Sequence, residues 1–146
     1  MSGGLPPFEL ERFLPYRLTV IAAELSTALS RRYRTEFGIS VAEWRILLNL
    51  GYSGSGSVRD IERRVSLEKS KVSRSVSRLE GKGLVTKSVD PDDRRLLHLG
   101  LTEAGFDLLG RLIPIAQDYE DELKGRLGEA LEPLHASLDR LAEGRD

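Results

Sequence analysis

Cysteine is missing from all 146 residues of this chain. Disulfides, thiolate nucleophiles, cysteine-ligated zinc sites and thiol redox sensing are therefore excluded. The one methionine is Met1, so no internal thioether can serve as an oxidation switch. Aromatic residues make up only 6 %. No apolar run approaches the roughly 20 residues that a membrane-spanning helix needs. The N-terminus lacks the basic-then-apolar pattern of a signal peptide, and the expectation is a soluble cytoplasmic protein. Histidine is scarce too. His98 and His135 stand far apart in the sequence, and neither has a recognisable nucleophile or second ligand beside it. Paired carboxylates such as Asp92/Asp93 and Glu120/Asp121 read as a turn and a solvated helix face. The chain is expected to be no enzyme, and to hold no metal or cofactor.

What the chain does have is charge, at 31 % of residues, and it is unevenly spread. Net charge is −1 overall, yet Arg59 to Arg95 holds 11 Lys/Arg against 7 Asp/Glu, a balance of +4. A basic middle between acidic ends is the asymmetry of a segment that meets phosphate. The glycine- and serine-rich stretch Gly51 to Ser57 reads as a flexible connection. It is no phosphate-binding loop, because no Gly-Lys-Ser/Thr follows it.

The basic segment carries its own punctuation. Ser57 is a good N-cap for a short helix from Val58 to about Val65, with Asp60 at the third position. Ser66-Leu67 is a turn, and a second helix runs from Glu68 to about Lys82 until Gly81 and Gly83 end it. Val72, Val76 and Leu79 fall on one face of this helix. Lys69, Ser70, Lys71, Ser73, Arg74, Ser77 and Arg78 cover the rest. Short hydroxyls and basic groups opposite an apolar stripe suit a DNA groove, where they can bond phosphates and base edges. Strands Leu84 to Val89 and Leu96 to Leu101 form a hairpin with the tip Asp90-Pro91-Asp92-Asp93-Arg94-Arg95. Adjacent arginines on such a tip can enter a narrow minor groove. Asp93 can brace Arg95 through a carboxylate–guanidinium pair.

Four pieces occur in this order: Glu68-Lys69-Ser70-Lys71-Val72-Ser73-Arg74, Leu79-Glu80-Gly81-Lys82-Gly83-Leu84-Val85, Asp93-Arg94-Arg95 and Leu101-Thr102-Glu103-Ala104-Gly105. Together they resemble the winged helix-turn-helix of the MarR family of bacterial transcription regulators. The resemblance implies a mainly α fold with a small β-hairpin wing (α+β), and long N- and C-terminal dimerisation helices. It implies that Ser70, Ser73 and Arg74 contact bases directly. Lys69, Lys71 and Arg78 would then neutralise phosphates, with Arg94 and Arg95 on the wing and Asp93 as the brace. It also implies a small aromatic acid as effector, bound between the dimer helices and the winged region. Tyr16, Arg17, Trp44 and Arg45 are the candidate lining residues.

The ends of the chain read as helices. Leu14, Leu18, Ile21, Leu25, Ala28 and Leu29 recur at helical spacing within a helix from about Leu10 to Phe37, stopped by Gly38. Pro15 would sit in its first turn or kink it. Ser40 and Glu43 form a capping box for a helix to about Leu50, with Trp44, Leu47 and Leu48 inward. Thr102 caps a long helix that Gly105, Gly110 and Pro114 interrupt, and a last helix spans about Glu129 to Ala142. These stripes predict a homodimer. The chain is expected to be a single domain over 1–146, with a winged DNA-binding region at 41–101 and dimerisation helices at 8–37 and 103–143. The functional expectation is a homodimeric repressor of a palindromic operator, relieved by a ligand. The competing reading is a winged-helix protein-interaction module that never touches DNA.

Overall fold

The computed structural model describes residues 3–54, 56–65, 67–89, 92–95 and 97–144. Met1 and Ser2 of the expected arm, Ser55 of the linker, Ser66 of the turn, Asp90 and Pro91 of the wing tip, and Leu96 at the strand start lie outside them.

A 3₁₀ turn at Leu10–Arg12 precedes α1 (Leu14–Phe37). The single N-terminal helix expected from Leu10 is thus split at Phe13, whose backbone is extended. The cause is Pro15, which has no N–H for the Glu11 carbonyl and whose ring would collide with it. A helix can begin around Pro15 but cannot run through it from Leu10. α1 ends where expected, on Gly38 at φ +65°, whose N–H bonds the Arg34 carbonyl at 2.9 Å. This left-handed conformation is one that glycine adopts without a Cβ penalty.

α2 (Val41–Ser53) opens with the complete capping box. The Glu43 N–H donates to Ser40 Oγ at 3.1 Å, and the Ser40 N–H donates to Glu43 Oε1 at 3.2 Å. The helix runs past Leu50 into the stretch expected to be a flexible connection, and then β1 (Gly56–Ser57) follows. β1 pairs antiparallel with β3 (Leu97–Leu101), which also pairs with β2 (Val85–Val89). The wing is therefore a three-stranded sheet in the order β1-β3-β2 rather than a bare hairpin. Two residues are too few to show strand alternation, and β1 owes its conformation to a partner some 40 positions away.

Between them lie α3 (Val58–Val65) and α4 (Lys69–Gly81). Ser57 caps α3 reciprocally, as its Oγ accepts the Asp60 N–H at 3.1 Å and its own N–H donates to Asp60 Oδ2 at 3.3 Å. Bonding to the Ser57 side chain and backbone holds the Asp60 carboxyl below its ordinary range. α4 has no side-chain cap at Glu68.

α5 runs unbroken over Glu103–Leu127, correcting the expected interruptions at Gly105, Gly110 and Pro114. Losing one helical bond to proline costs about 3 kcal/mol. Leu109 and Leu112, buried in the core, and the half-buried Ile113 and Ala116 hold both flanks against it. A fully buried leucine contributes about 1.5–3 kcal/mol, enough for two to outweigh the missing bond. A 3₁₀ turn at Gly128–Ala130 leads into α6 (Leu131–Ala142).

The core joins all the middle elements. Tyr33 of α1, Ile46 and Leu47 of α2, Ile61 of α3, Val72 and Leu79 of α4, Leu99 of β3 and Leu112 of α5 are all almost fully buried within it. α1 is further tied to α5 by Arg32, which bonds Glu122 at 2.6 Å and lies 5.0 Å over the Tyr119 ring. The Tyr119 hydroxyl donates to the Leu25 carbonyl at 3.0 Å. Among the described residues, no helix is long and apolar enough to cross a membrane.

Candidate nucleic-acid interface

α4 divides its residues by face. Val72, Ser75, Val76 and Leu79 recur at helical spacing and are buried. Lys69, Ser70, Lys71, Ser73, Arg74, Ser77 and Arg78 are all exposed. Ser75 is the residue that sequence reasoning missed. It stands among serines that face solvent, yet it is fully buried, and its Oγ accepts a bond from Arg78 Nη2 at 3.1 Å. Its place at the centre of the apolar stripe, three past Val72 and four before Leu79, was the available signal.

Arg78 is less available than expected for phosphate. Its guanidinium is turned back towards the Ser75 hydroxyl and lies 3.9 Å from Glu43 Oε1. Arg74 and Lys71 are exposed, and neither is in an ion pair with a described residue.

On the wing, Asp93 and Arg95 form the expected carboxylate–guanidinium pair, and it is two-pronged. Arg95 Nε donates to Asp93 Oδ1 at 3.1 Å, and Nη2 donates to Oδ2 at 3.0 Å. The Arg95 N–H adds a third bond to Oδ1 at 3.0 Å. These bonds hold the Asp93 carboxyl below its ordinary range, with Arg59 adding a weaker attraction. The Arg95 side chain stays 88 % exposed, so the pair orients the guanidinium without removing it from solvent. Arg94 is exposed beside it.

α3, α4 and the wing meet around a cavity of about 310 Å³. Lys69 and Ser73 of α4 and Arg95 of the wing line it, so residues expected to contact DNA from two separate elements share one concave surface. Arg59 and Lys87 line it as well. Neither was among the expected site residues. Arg59 stands on the short helix before α4, and Lys87 is set on the wing by the β2 register and pairs with Glu80 at 3.4 Å. Four cations face one carboxylate, Glu62, across this surface. Such a concentration of one sign raises the local potential for a polyanion.

The wing root is locked to the end of α4. Thr102 Oγ1 donates to the Gly83 carbonyl at 2.7 Å and accepts the Gly105 N–H at 3.0 Å, while the Thr102 N–H bonds the Leu84 carbonyl at 3.1 Å. A Cβ on Gly105 would lie 2.2 Å from the Leu84 carbonyl oxygen, so only glycine permits this approach. The Leu101-Thr102-Glu103-Ala104-Gly105 motif is this joint.

A helix-turn-helix with a braced wing arginine, basic along one face, matches known proteins throughout its length. The MarR family model matches residues 37–96. The chain is similar to the MarR family in sequence and in fold. MarR-type relatives cover most of it. The HTH-type transcriptional regulator SarZ of Staphylococcus saprophyticus is 28 % identical over 123 residues, 84 % of each chain. The HTH-type transcriptional repressor IacR of Pseudomonas putida is 25 % identical over 142 residues, 92 % of this chain and 84 % of its own. The fold is shared with Bordetella bronchiseptica BpsR, whose DNA binding is regulated by 6-hydroxynicotinic acid. The TM-score is 0.80 at 22 % identity, over 97 % of this chain and all of BpsR. These likenesses support a DNA-binding transcription regulator of MarR type.

The four residues expected to hold an effector are not gathered together. Tyr16 and Arg17 are exposed near the start of α1. Trp44 is 8 % exposed and stacks on Tyr33, with ring centroids 5.4 Å apart, so one aromatic face expected for a ligand is already covered. Burial also pushes the Tyr33 hydroxyl up to about 12, against the opposing pull of Arg45 and Arg34. Arg45 is half-buried, its Nη2 donating to Ser26 Oγ at 3.4 Å.

Proposed function

We propose that the chain acts as a homodimeric repressor of a roughly palindromic DNA site and is released by a small aromatic acid. The observation that carries this reading is the shared surface of α4 and the wing, where Lys69, Ser73 and Arg95 open on one basic concavity. In this reading α4 lies in the major groove, with Ser70, Ser73 and Arg74 at base edges and Lys69, Lys71 and Ser77 towards the backbone, while Arg78 stays turned towards Ser75 and Glu43. Arg74 can bond guanine O6 and N7 in a fork. Asp93 holds Arg95 towards the adjacent minor groove, with Arg94 beside it. Residues 41–101 form the DNA-binding region, and 8–37 and 103–143 form the dimer.

The dimer is supported by apolar side chains that the chain leaves uncovered. Leu14, Leu18 and Ile21 of α1 and Leu134, Leu138 and Leu141 of α6 are all exposed. A second copy would cover them and set the distance between two α4 helices at about one turn of DNA. The name of IacR and the regulation of BpsR support repression and an aromatic-acid effector. Tyr16, Arg17, Arg45 and the uncovered edge of Trp44 remain the proposed contacts, assembled across the dimer.

The test is fluorescence anisotropy with duplex DNA from upstream of the protein's own gene, against a scrambled duplex, at two salt concentrations. Selective binding is expected, with log K falling by roughly 0.9 per phosphate neutralised for each tenfold rise in salt. No binding to either duplex by folded dimer, with and without aromatic carboxylates, would leave the protein-interaction module as the better reading.

A further inference from the structure

We propose that Glu43 is a positioning residue for DNA recognition, whose buried carboxylate fixes the far end of α4 to the corner between α1 and α2. The inference rests on reading α4 as the helix that meets DNA. The Glu43 side chain is 4 % exposed. Capping α2 needs only one of its oxygens, Oε1, which accepts the Ser40 N–H. A glutamine would cap as well. The second oxygen does something else. Oε2 accepts a bond from Lys82 Nζ at 2.9 Å, and the same ammonium donates to the Gly38 carbonyl at 3.2 Å. Lys82 is the residue that closes α4. The Glu43–Lys82 pair therefore ties together the end of α1, the start of α2 and the end of α4. Arg78 approaches it too, at 3.9 Å.

The apolar stripe of α4 presses the helix onto the core, but hydrophobic contact is non-directional and leaves its rotation about its own axis loosely specified. A charged, two-pronged tie at the last turn fixes that rotation, and with it the aim of Ser70, Ser73 and Arg74. The tie also turns Arg78 inward. Without the Glu43 charge, Arg78 and Lys82 would swing out to any phosphate, adding affinity that carries no sequence information.

Glu43→Gln separates this role from its rivals, because it keeps the cap and removes the charge. The probe is a duplex enriched from a random pool by the unaltered protein, measured against a scrambled duplex of equal composition. Positioning predicts that the ratio of selective to unselective affinity falls about fivefold or more, with unselective binding unchanged or tighter. Loss of folded protein alone would lower both affinities together, and a simple charge effect would raise both together. Either of those outcomes overturns the inference. Lys82 is 42 % exposed, so a second pair tests the tie from a more tolerant side. Lys82→Arg should keep the ratio and Lys82→Met should lower it by a similar factor. Equal ratios in those two variants would likewise overturn the inference. If the unaltered protein enriches no sequence, the reading of α4 itself fails, and this inference with it.

Discussion

The middle of the molecule and its ends solve the problem of apolar surface differently. From α2 to β3, apolar stripes meet one another, and Ile46, Leu47, Ile61, Val72, Leu79 and Leu99 are almost wholly buried within a single chain. α6 is as clearly amphipathic, with leucines three and four apart, yet it buries no residue, and α1 buries only Ser30 and Tyr33 in its second half. Both regions obey the same helical periodicity. The difference is that the middle supplies its own partner surfaces and the ends do not. Periodicity tells which face is apolar, and says nothing about which molecule will cover it.

The largest expected effect comes from attacking the ends. Replacing Leu134 and Leu138 together by Asp should lower dimer affinity by a hundredfold or more, on the order of 3 kcal/mol or above. Sedimentation velocity should then show monomer at concentrations where the unaltered protein is dimeric. A dimer that persists would mean these leucines are not its seam. The matching change in the middle is Leu47→Ala, which should cost about 2–5 kcal/mol in denaturant unfolding by leaving a cavity. Its m-value should remain that of a cooperatively folded chain. Within the DNA face, Arg74→Ala should cost about 1–3 kcal/mol at one base position and blur the preference there. Arg95→Ala should instead weaken binding across many sequences and leave the dimer intact. Equal effects on every sequence from both changes would remove Arg74 from base reading.

The smallest effect expected is with pH. Asp93 is held below its ordinary value of 3.8 by the Arg95 bonds. A carboxyl with a depressed folded pKa keeps its contribution above the unfolded value and loses it only as pH falls through the folded one. The brace should therefore persist between roughly pH 8 and pH 5. Comparing unaltered protein with Asp93→Asn over that range should give a constant ratio of DNA affinities. A ratio that changes within that window would mean the carboxylate is not held as its geometry indicates.

Legibility in the sequence followed the range of each interaction. Caps at Ser40, Ser57 and Thr102 were readable because donor and acceptor lie three residues apart. The exposed row on α4 and the Asp93–Arg95 pair were readable for the same local reason. β1 was not, since its strand character is conferred by β3. Arg59 and Lys87 join the candidate site only because the sheet and α3 fold beside α4. Trp44 was expected both inward and near a ligand, and only tertiary packing reveals Tyr33 on its face. Glu43 was legible as a cap, but its second oxygen depends on Lys82, 39 residues on.

The short strand β1 has a mechanical consequence for the wing. Among the described residues it pairs with β3 at Leu99 and His98, so the sheet is two strands wide at its root, where Val85 and Thr86 face Leu101 and Gly100, and three strands wide over Lys87 and Ser88. The root is welded to the exit of α4 through Thr102, and further out β3 is gripped on both edges at Leu99 and His98. Past the Ser88–His98 pair, Val89 and Leu97 continue the ladder toward the arginines. The wing is thus a beam fixed at its base and clamped again part-way along. In the proposed complex, such a beam would hold Arg95 at a set angle to the helix beside it. The spacing between the two proposed contacts is then set by the sheet as much as by the helix.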